Sequence, residues 1–568
     1  MRNDDIARVL DEIAEMLEIR GENFFRIRAY RNAARTVRDH PIALADMPRA
    51  DLSEIPGIGE DLAGKIGTLL DRGEIPLHAE LMKAISPGLL ELRHLPGLGP
   101  KRIKLLADRL KIRDRGDLER AAKAGQLRTI RGFGAKMEER LLTALAAGAA
   151  QATERRYSWA DAAATVAELT AHLKQSREVE AIEAAGSFRR RRETVGDLDL
   201  LIASNHPDTV MRRFLAFPEI ARSLGAGETK ASAVLRSGMQ VDVRVVPHES
   251  WGAAIVYFTG SKAHGVHLRK IAQAHGMLLN EYGLYHGDRV VAGADEEGIY
   301  RALGLKLIAP ELREDRGEIE AAAAHGHLPH LVAAGDLRGD LHTHSTWTDG
   351  RASIEEMARA ARERGLKYFA LTDHSKRLTM VHGLNATRLR SQWREIEKAE
   401  AKTGIKILRG IEVDILDDGR LDLDDGILGE LDWVVASVHS KFEQDERTMT
   451  RRLVRAIGNP NVDVIGHPSG RLIGRRAPSV FDLGEVLRAA HGEGCALEVN
   501  SQPDRLDLTD TDCMAAKHAG VKLVISSDAH HPHDFAMLEY GVNQARRGWI
   551  EPADVLNTQS VEALRRWR

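Results

Sequence analysis

The feature that most constrains the fold is a pattern that recurs from residue 336 onward, in which a short apolar run ends near a polar residue able to bind a metal and a helical stretch follows. Strands that alternate with helices predict a parallel sheet, and seven such units predict a β/α barrel. Barrels of this kind keep their chemistry at the carboxyl ends of the strands. The seven runs are RGDLHTHS (338–345), YFALTDHS (368–375), ILRGIEVDI (407–415), WVVASVHS (433–440), VDVIGHPS (462–469), CALEVNSQ (495–502) and KLVISSDAHH (522–531).

Nine imidazole and carboxylate side chains stand at or just after these strand ends. One histidine in such a place is usually a loop or core residue, but nine in one pattern indicate metal binding. A mixed set without thiolate suits Zn²⁺, Mn²⁺ or Fe²⁺, and such ions activate water for phosphodiester or phosphate hydrolysis. The candidates are His342, His344, Asp349, His374, Glu412, His439, His467, Asp528 and His530.

A second constellation lies in GSFRRRRETVGDLDLLI (186–202). Strand side chains alternate in direction, so Asp197 and Asp199 share one face. A neighbouring strand, MQVDVRVV (239–246), supplies Asp242 on the face opposite its valines. Three carboxylates predict a site for two Mg²⁺ ions and phosphoryl transfer, whereas the plain structural reading is a hairpin with a basic turn and an exposed acidic strand end.

Gly186 and Ser187 are predicted to open a helix whose free N–H groups favour an anion, such as the triphosphate of a nucleotide. Arg189 and Arg190 follow at once and could bind its oxygens.

A repeat of apolar residue, proline, glycine, apolar residue and glycine before a helix occurs at 55–66 and 95–106, and a third copy at 130–142 has Arg131 in place of the proline. It resembles the helix-hairpin-helix element, in which the glycines let a turn approach a phosphate and the next helix binds that phosphate without reading sequence. One copy alone would be an ordinary connection between helices. The residues expected nearest DNA are Gly57, Gly59, Gly97, Gly99, Lys101, Gly132, Gly134 and Lys136.

Composition sets the broad class. The chain has 568 residues with 43% hydrophobic and 29% charged residues and a net charge of −3, which indicates several soluble domains. The segment 83–140 holds 15 Lys and Arg against 7 Asp and Glu, a local basic patch. Two cysteines and no long apolar run predict a cytoplasmic protein without disulfides, signal peptide or membrane span.

The central motifs resemble the catalytic core of family X DNA polymerases. GSFRR, GDLDLLI, VDVRVV and YFTGS (257–261) carry this resemblance, although Gln240 and Lys262 depart from the vertebrate pattern. The resemblance implies that Asp197, Asp199 and Asp242 hold two Mg²⁺ and that Asp242 activates the primer 3′-hydroxyl. It also implies a nucleotide site formed by Gly186, Ser187, Arg190, Gly196, Tyr257, Phe258 and Gly260.

DLHTHS, TDHS, GIEVD, SVHS, GHP and SDAH resemble the PHP domain, named for polymerases and histidinol phosphatases. That resemblance implies a distorted (β/α)₇ barrel with up to three Mn²⁺ or Zn²⁺ ions and 3′→5′ removal of nucleotides. The implied ligand sets are His342, His344, Glu412 and Asp528; Glu412, His439 and His467; and Asp349, His374 and His530.

Lys65, within the first repeat, matches the position of a lysine in the family's N-terminal domain that forms a Schiff base with a 5′-deoxyribose phosphate, and Tyr30 matches a tyrosine near that pocket. A nucleophilic lysine needs a lowered pKa, and Arg26 and Arg28 could lower it. The alternative is an exposed lysine that contacts a phosphate.

Both resemblances together match bacterial family X DNA polymerases with a C-terminal PHP domain, a multidomain α+β and α/β fold class with helical N-terminal domains, a mixed-sheet palm and the barrel. We expect a monomeric enzyme that binds gapped or primer-template DNA and deoxynucleoside triphosphates, fills short gaps in base excision repair or end processing, and trims 3′ ends. Alternatives are a small-molecule nucleotidyltransferase fused to a histidinol-phosphatase-like phosphoesterase, and a DNA-end scaffold with silent sites. The expected domains are 1–82 (lyase-like), 83–149 (helix-hairpin-helix), 150–250 (palm), 251–316 (nucleotide-selecting thumb), 317–335 (linker with a helix ending near Gly335) and 336–568 (PHP).

Overall fold

The computed structural model describes the chain except residues 2, 39, 41–43, 56, 86, 93, 94, 96, 131, 135, 136, 139, 140, 143, 144, 146–155 and 568. It divides into two compact units, Met1–Arg155 and Arg156–Arg568. Lys136, a predicted DNA contact, lies outside the described residues. Among the described helices, none combines the length and apolar character needed to cross a membrane.

The first unit is built from helices. Helices α3 and α6 start directly after Gly59 and Gly99, which cap them as the repeats predict. The apolar residues of all three repeats are buried in one core with α1 and α2, so each hairpin turn has one side fixed by packing. The helices are α1 (Asn3–Arg20), α2 (Phe24–Arg38), α3 (Glu60–Arg72), α4 (Pro76–Ala84), α5 (Pro87–Glu91), α6 (Pro100–Leu110) and α7 (Arg115–Lys123).

The second unit begins with a mixed sheet in the order β2-β4-β7-β6-β5, in which β4 and β7 are parallel and the other pairs antiparallel. Leu198, Leu200, Val241 and Val243 are buried on one face of β4 and β7. Alternation therefore turns the aspartates of these strands to the other face. The elements are β1 (Tyr157–Ser158), α8 (Trp159–Leu173), β2 (Ala181–Ala184), α9 (Gly186–Arg189), β3 (Thr194–Val195), β4 (Asp197–Ala203), α10 (Pro207–Leu215), β5 (Ile220–Ala226), β6 (Lys230–Leu235) and β7 (Gln240–Val246).

A small helical subdomain follows, with a three-stranded antiparallel sheet in the order β10-β9-β8. Its elements are α11 (Trp251–Thr259), α12 (Lys262–Ala274), β8 (Leu278–Leu279), β9 (Leu284–His286), β10 (Arg289–Ala292), α13 (Glu296–Ala302) and α14 (Glu318–Ala322).

The segment 317–335 packs against this subdomain. Ile319, Ala322 and Leu331 belong to its hydrophobic core. The prediction that a helix of this segment ends near Gly335 is wrong, because α14 ends at Ala322. A Cβ at Gly326 would lie 2.3 Å from the carbonyl oxygen of Glu320, so the chain turns sharply there.

The remaining residues form the predicted barrel. Its seven parallel strands are neighbours in chain order, and a bridge between Thr343 and Ala529 joins the first strand to the end of the last. Residues of alternating direction form an outer core against the helices and a separate inner core that includes Leu408, Val435 and Val524. The elements are β11 (Gly339–Thr343), α15 (Ile354–Glu363), β12 (Tyr368–Leu371), α16 (Ala386–Thr403), β13 (Lys406–Asp414), α17 (Asp425–Leu428), β14 (Trp433–Ser437), α18 (Glu446–Ile457), β15 (Val464–Gly466), α19 (Leu483–Glu493), β16 (Ala496–Asn500), α20 (Asp510–His518), β17 (Leu523–Ser526), α21 (Leu538–Arg547) and α22 (Val561–Trp567).

Two candidate metal centres

Three aspartates meet on the mixed sheet. β4 and β7 are parallel neighbours with Asp199 paired to Asp242 and Asp197 paired to Gln240. The predicted adjacency of the two strands is therefore confirmed, and the role of the three carboxylates as metal ligands stays a prediction.

Asp199 shows the electrostatic consequence of this arrangement. Burial raises its pKa, the charges of Asp197 and Asp242 raise it further, and the result is a pKa of about 7. An acid this hard to ionise is stabilised as a carboxylate by a nearby cation. The site thus has the chemistry of a divalent-ion site.

The Gly-Ser turn lies directly against Asp199. Gly186 has φ +61, and a Cβ built there would lie 2.5 Å from Asp199 Oδ2, so a larger residue would displace the carboxylate. Ser187 is the next residue of α9, which begins at Gly186 as predicted. Anion-binding N–H groups and metal-binding carboxylates are therefore adjacent.

Two side chains hold Asp242 in place. Ser232 Oγ donates to Oδ1, and Gln240 Nε2 donates to Oδ2 at 2.9 Å. Gln240 departs from the family pattern, and here it orients the third aspartate.

Arg190 donates hydrogen bonds to other residues of the protein. Its Nη1 donates to the carbonyl oxygen of Thr259 at 2.5 Å, and its Nε donates to Glu314 Oε1 at 3.1 Å. A Cβ at Gly260 would lie 3.2 Å from Arg190 Nη1, and one at Gly196 would lie 3.3 Å from Arg156 Nη1. The structure therefore brings together Arg190 and Gly260, two of the predicted nucleotide-binding residues, and adds an acidic partner that sequence reasoning missed.

Arg244 is a further residue that sequence reasoning missed. It stands two residues after Asp242 on β7 and therefore on the same face. Its guanidinium lies 4.7 Å from the ring centre of Phe258, which packs edge-on against Tyr257. The predicted sugar-contacting aromatic residues are thus linked to the carboxylate strand through this arginine.

Glu412 lies at the centre of the barrel ligands and is 1% exposed. Its Oε1 lies 2.9 Å from His467 Nε2 and 3.1 Å from His439 Nε2. Its Oε2 lies 2.7 Å from His374 Nδ1 and 3.4 Å from His342 Nε2. A fifth imidazole is only slightly further away, with His344 Nε2 3.7 Å from Oε2, so imidazoles surround this buried carboxylate. Burial would raise the pKa of Glu412, but the charges of His374, His439 and His342 outweigh it and hold the pKa well below its ordinary value.

Asp528 and Asp349 organise the remaining ligands. Asp528 Oδ1 lies 3.2 Å from His344 Nε2. Asp349 Oδ2 lies 3.3 Å from the Nε2 atoms of both His374 and His530. Asp528 has φ +52, in the left-handed region that non-glycine residues rarely adopt. Such strain is concentrated at functional sites.

The distances define three overlapping groups whose ligand atoms lie within 4.8 Å of one another. In the described part of the chain all such groups lie in the barrel, and the three sheet aspartates form none. His344 and His374 each belong to two groups, which differs from the sets the resemblance implies. The groups are His342, His344 and Asp528; His374, Glu412 and His439; and His344, Asp349, His374 and His530.

The buried nitrogens fit bound metal. Within the described residues, neither ring nitrogen of His344 has a hydrogen-bond partner, although the residue is fully buried. Burial and the nearby charges of His530 and His374 lower the pKa of His344 to about 3, so its imidazole is neutral near pH 7. A neutral imidazole with open nitrogens beside ionised carboxylates belongs to a donor set suited to Zn²⁺ or Mn²⁺.

Two supporting carboxylates were missed. His439 Nδ1 lies 3.0 Å from Asp414 Oδ1, and His342 Nδ1 lies 2.7 Å from Glu498 Oε1. Carboxylates in this place fix the orientation of a ligating imidazole. Asp414 follows Glu412 by two residues, so strand alternation could have found it, and Glu498 is a charged residue inside an otherwise apolar strand.

The three hairpin turns share one geometry. A backbone hydrogen bond closes each turn, from Ile58, Leu98 and Phe133 to the residue three positions earlier. The first glycine of each has a left-handed φ between +81° and +96°. At the second glycine, a Cβ would meet nothing within 4 Å. The exposed glycines leave the turn open to a close external ligand, and Lys101 is exposed beside the second turn.

Lys65 lies beside Tyr30 as expected, with Nζ 5.3 Å from the ring centre. The expected lowering of its pKa is wrong. Partial burial lowers the pKa, but the hydrogen bond to Asp61 and the charges of Asp61 and Tyr30 outweigh it, so the pKa is raised. Asp61 Oδ2 lies 2.5 Å from Nζ. Arg26 bonds to Glu22.

Comparison with known proteins covers almost the whole chain. Family models match as a helix-hairpin-helix domain (residues 1–75), a SAM-like helix-hairpin-helix tandem (89–147), a DNA polymerase beta thumb (254–314) and a PHP domain (340–502). The chain is 39% identical over 567 residues to "DNA polymerase/3'-5' exonuclease PolX" of Bacillus subtilis (strain 168), covering 99% of this chain and 98% of that protein.

Shorter relatives are phosphatases by name. "Probable phosphatase Teth514_1060" of Thermoanaerobacter sp. (strain X514) is 35% identical over 232 residues, 39% of this chain and 89% of the relative. A "Probable phosphatase" of Vibrio campbellii (strain ATCC BAA-1116) is 29% identical over 243 residues, 40% of this chain and 92% of the relative.

Helical hairpins, a mixed sheet with a carboxylate edge and a seven-stranded ligand-lined barrel define a modular nucleic-acid enzyme of two catalytic folds, which confirms the predicted fold class. The chain belongs to the bacterial family X DNA polymerases that carry a C-terminal PHP domain.

The raised pKa of Asp199 predicts a pH-dependent stability. Because the folded protein holds this proton more tightly than the unfolded chain, the contribution of Asp199 to stability falls as pH rises between about 4 and 7. We expect metal-free Asp199→Asn to have a higher Tm than the wild type at pH 8, with a smaller difference at pH 5. Thermal unfolding in a chelator measures this, with Asp208→Asn as the control. An equal difference at both pH values would contradict the assignment.

Proposed function

We propose that the protein fills short gaps in DNA during base excision repair or end processing and trims 3′ ends with its barrel. Family membership gives the enzyme class, a DNA-directed DNA polymerase combined with a 3′–5′ exonuclease. Gap filling and the division of labour between the two sites are the proposal.

The observation that carries the polymerase assignment is the pairing of Asp199 with Asp242 directly beside the Gly186 turn. Asp197, Asp199 and Asp242 would hold two Mg²⁺, which stabilise charge on the phosphate oxygens during transfer. Asp242, oriented by Ser232 and Gln240, would accept the proton of the primer 3′-hydroxyl.

Other residues would bind the nucleotide. The helix that begins at Gly186, with Ser187, and the backbone at Gly196 would receive the triphosphate. Tyr257, Phe258 and Gly260 would line the sugar. The charges of Arg190 and Arg244 lower the pKa of Asp199, so both arginines would supply positive charge near the carboxylates.

The barrel assignment rests on the buried, overlapping ligand groups. The nine predicted ligands would hold up to three Mn²⁺ or Zn²⁺ ions, which supply activated water for phosphoester hydrolysis. Asp414 and Glu498 would orient His439 and His342. The relatives named as phosphatases favour a second reaction at this site, removal of a 3′-terminal phosphate.

The open hairpin turns would bind the DNA backbone through Gly57, Gly59, Gly97, Gly99, Gly132 and Gly134 with Lys101 and Lys136. Such contacts suit gapped or primer-template DNA of any sequence. We also propose a monomer, and a cytoplasmic location in keeping with DNA and deoxynucleoside triphosphate substrates. A small-molecule nucleotidyltransferase would have no use for three phosphate-binding turns.

Separate substitutions should separate the two activities. Asp197→Ala is expected to abolish primer extension on a short-gapped duplex and to leave degradation intact, because only the sheet site loses a carboxylate. His344→Ala is expected to do the reverse. Gel-based extension and degradation assays with Mg²⁺ or Mn²⁺ measure both, with Asp208→Ala and the exposed His491→Ala as matched controls. Loss of both activities in either folded variant would mean that the two-site division is wrong.

We also propose that Lys65 acts as a 5′-deoxyribose-phosphate lyase nucleophile beside Tyr30. Borohydride should trap a covalent adduct with a 5′-deoxyribose-phosphate duplex in the wild type and none in Lys65→Ala. Because Asp61 raises the pKa of Lys65, Asp61→Asn should increase trapping near pH 7. Lys83→Ala, an exposed lysine of the same unit, is the control. An adduct that survives Lys65→Ala would end the lyase proposal.

A further inference from the structure

The four-arginine run of the palm is anchored to other elements at every position. Arg189 pairs with Glu296 of α13, and Arg190 and Arg192 both reach Glu314. Arg191 lies 3.7 Å from Glu539 on barrel helix α21. The turn that would receive the triphosphate is therefore held partly by the barrel.

Arg547, the last residue of α21, makes the closest barrel contact to this turn. Its Nη1 donates to the carbonyl oxygen of Arg190 at 2.7 Å and to Glu314 Oε1 at 3.1 Å. Its Nη2 donates to Asp510 Oδ2 at 2.6 Å. The side chain is 2% exposed. One barrel guanidinium thus binds both the backbone of Arg190 and the carboxylate that holds the Arg190 side chain.

Glu314 forms salt bridges with both the palm and the barrel. Its Oε1 lies 3.1 Å from Arg190 Nε and 3.1 Å from Arg547 Nη1. Burial raises its pKa, but the charges of Arg547, Arg190 and Arg192 outweigh it and lower the pKa to about 2. Glu314 is therefore ionised at neutral pH. Without Arg547, this buried charge would depend on the palm arginines and Arg316, and the carbonyl oxygen of Arg190 would lose its donor.

A second contact ties the same palm segment to a metal-ligand loop. Arg471 Nη2 donates to Glu193 Oε2 at 2.7 Å. Arg471 stands four residues after His467, and Glu193 stands four residues before Asp197. The barrel thus forms a salt bridge with the palm between the Gly-Ser turn and the first aspartate.

We propose that Arg547 is a positioning residue for the polymerase site, through which the barrel orients Arg190 and its turn to receive the triphosphate of the incoming nucleotide. The inference rests on the proposed polymerase function. It assigns the barrel a role in nucleotide affinity that is separate from hydrolysis.

Nucleotide binding without turnover is the test. The full-length protein is bound to Mg²⁺ and a gapped duplex whose primer ends in a dideoxynucleotide, and a fluorescent deoxynucleoside triphosphate is titrated by anisotropy. Arg547→Met is expected to raise the Kd about tenfold, as for loss of one hydrogen bond to a charged group. In steady-state extension KM should rise similarly with kcat little changed, and barrel hydrolysis of a 3′ end should keep its wild-type rate.

Arg546→Met is the matched control. Arg546 is the neighbouring residue on α21 and also makes a contact across elements, to Glu311 at 2.8 Å, but none of its hydrogen bonds reaches a described residue of the arginine run. Its Kd should stay at the wild-type value. Arg547→Lys keeps the charge but not the forked geometry, so its Kd should lie between those of the wild type and Arg547→Met. If Arg547→Met does not fold, Arg547→Lys serves as the test variant.

Two outcomes overturn the inference: a folded Arg547→Met or Arg547→Lys protein with wild-type Kd, or an equal loss in Arg546→Met, which would mean general domain packing. A wild type that binds the nucleotide yet never extends an unblocked primer would instead count against the proposed function.

Discussion

Negative charge on carboxylates held in buried or partly buried positions is the constraint on which both centres depend. In the palm, strand pairing fixes Asp199 opposite Asp242, and alternation adds Asp197 to the same face, so the protein cannot separate these charges without breaking its central sheet. The pKa of Asp199, about 7, is the direct result. In the barrel, strand ends converge on Glu412, and the imidazoles around it offset the cost of burying its charge.

The two centres therefore differ in how their negative charge is compensated. The barrel surrounds its acids with histidines, and the carboxylates stay ionised without help from solvent ions. The palm has no imidazole among its three predicted ligands, so full ionisation there is coupled to cations that would arrive with the nucleotide. This difference would suit the proposed division between synthesis in the palm and hydrolysis in the barrel. The four-arginine run of the palm, which contacts barrel helix α21, connects the two centres structurally.

Much of this was predictable because the deciding signals are local. Period-two alternation placed Asp197 and Asp199 on one face, and recurring strand ends identified the nine predicted barrel ligands. Alternation alone could also have found Asp414 and Arg244. The partners of the arginine run could not be read from sequence, since Glu314 and Arg547 come from elements more than 120 residues away. The prediction of a lowered pKa for Lys65 was wrong for the opposite reason. Asp61 lies only one helical turn away, but the prediction considered the nearby arginines and not this carboxylate.

Anomalous diffraction from crystals grown with Mn²⁺, a primer-template and a non-hydrolysable nucleotide would locate metal ions at both centres. We expect anomalous peaks between Asp199 and Asp242 and further peaks around Glu412, Asp528 and Asp349. Well-ordered carboxylates at either centre with no manganese between them, at Mn²⁺ concentrations that support activity, would contradict this expectation.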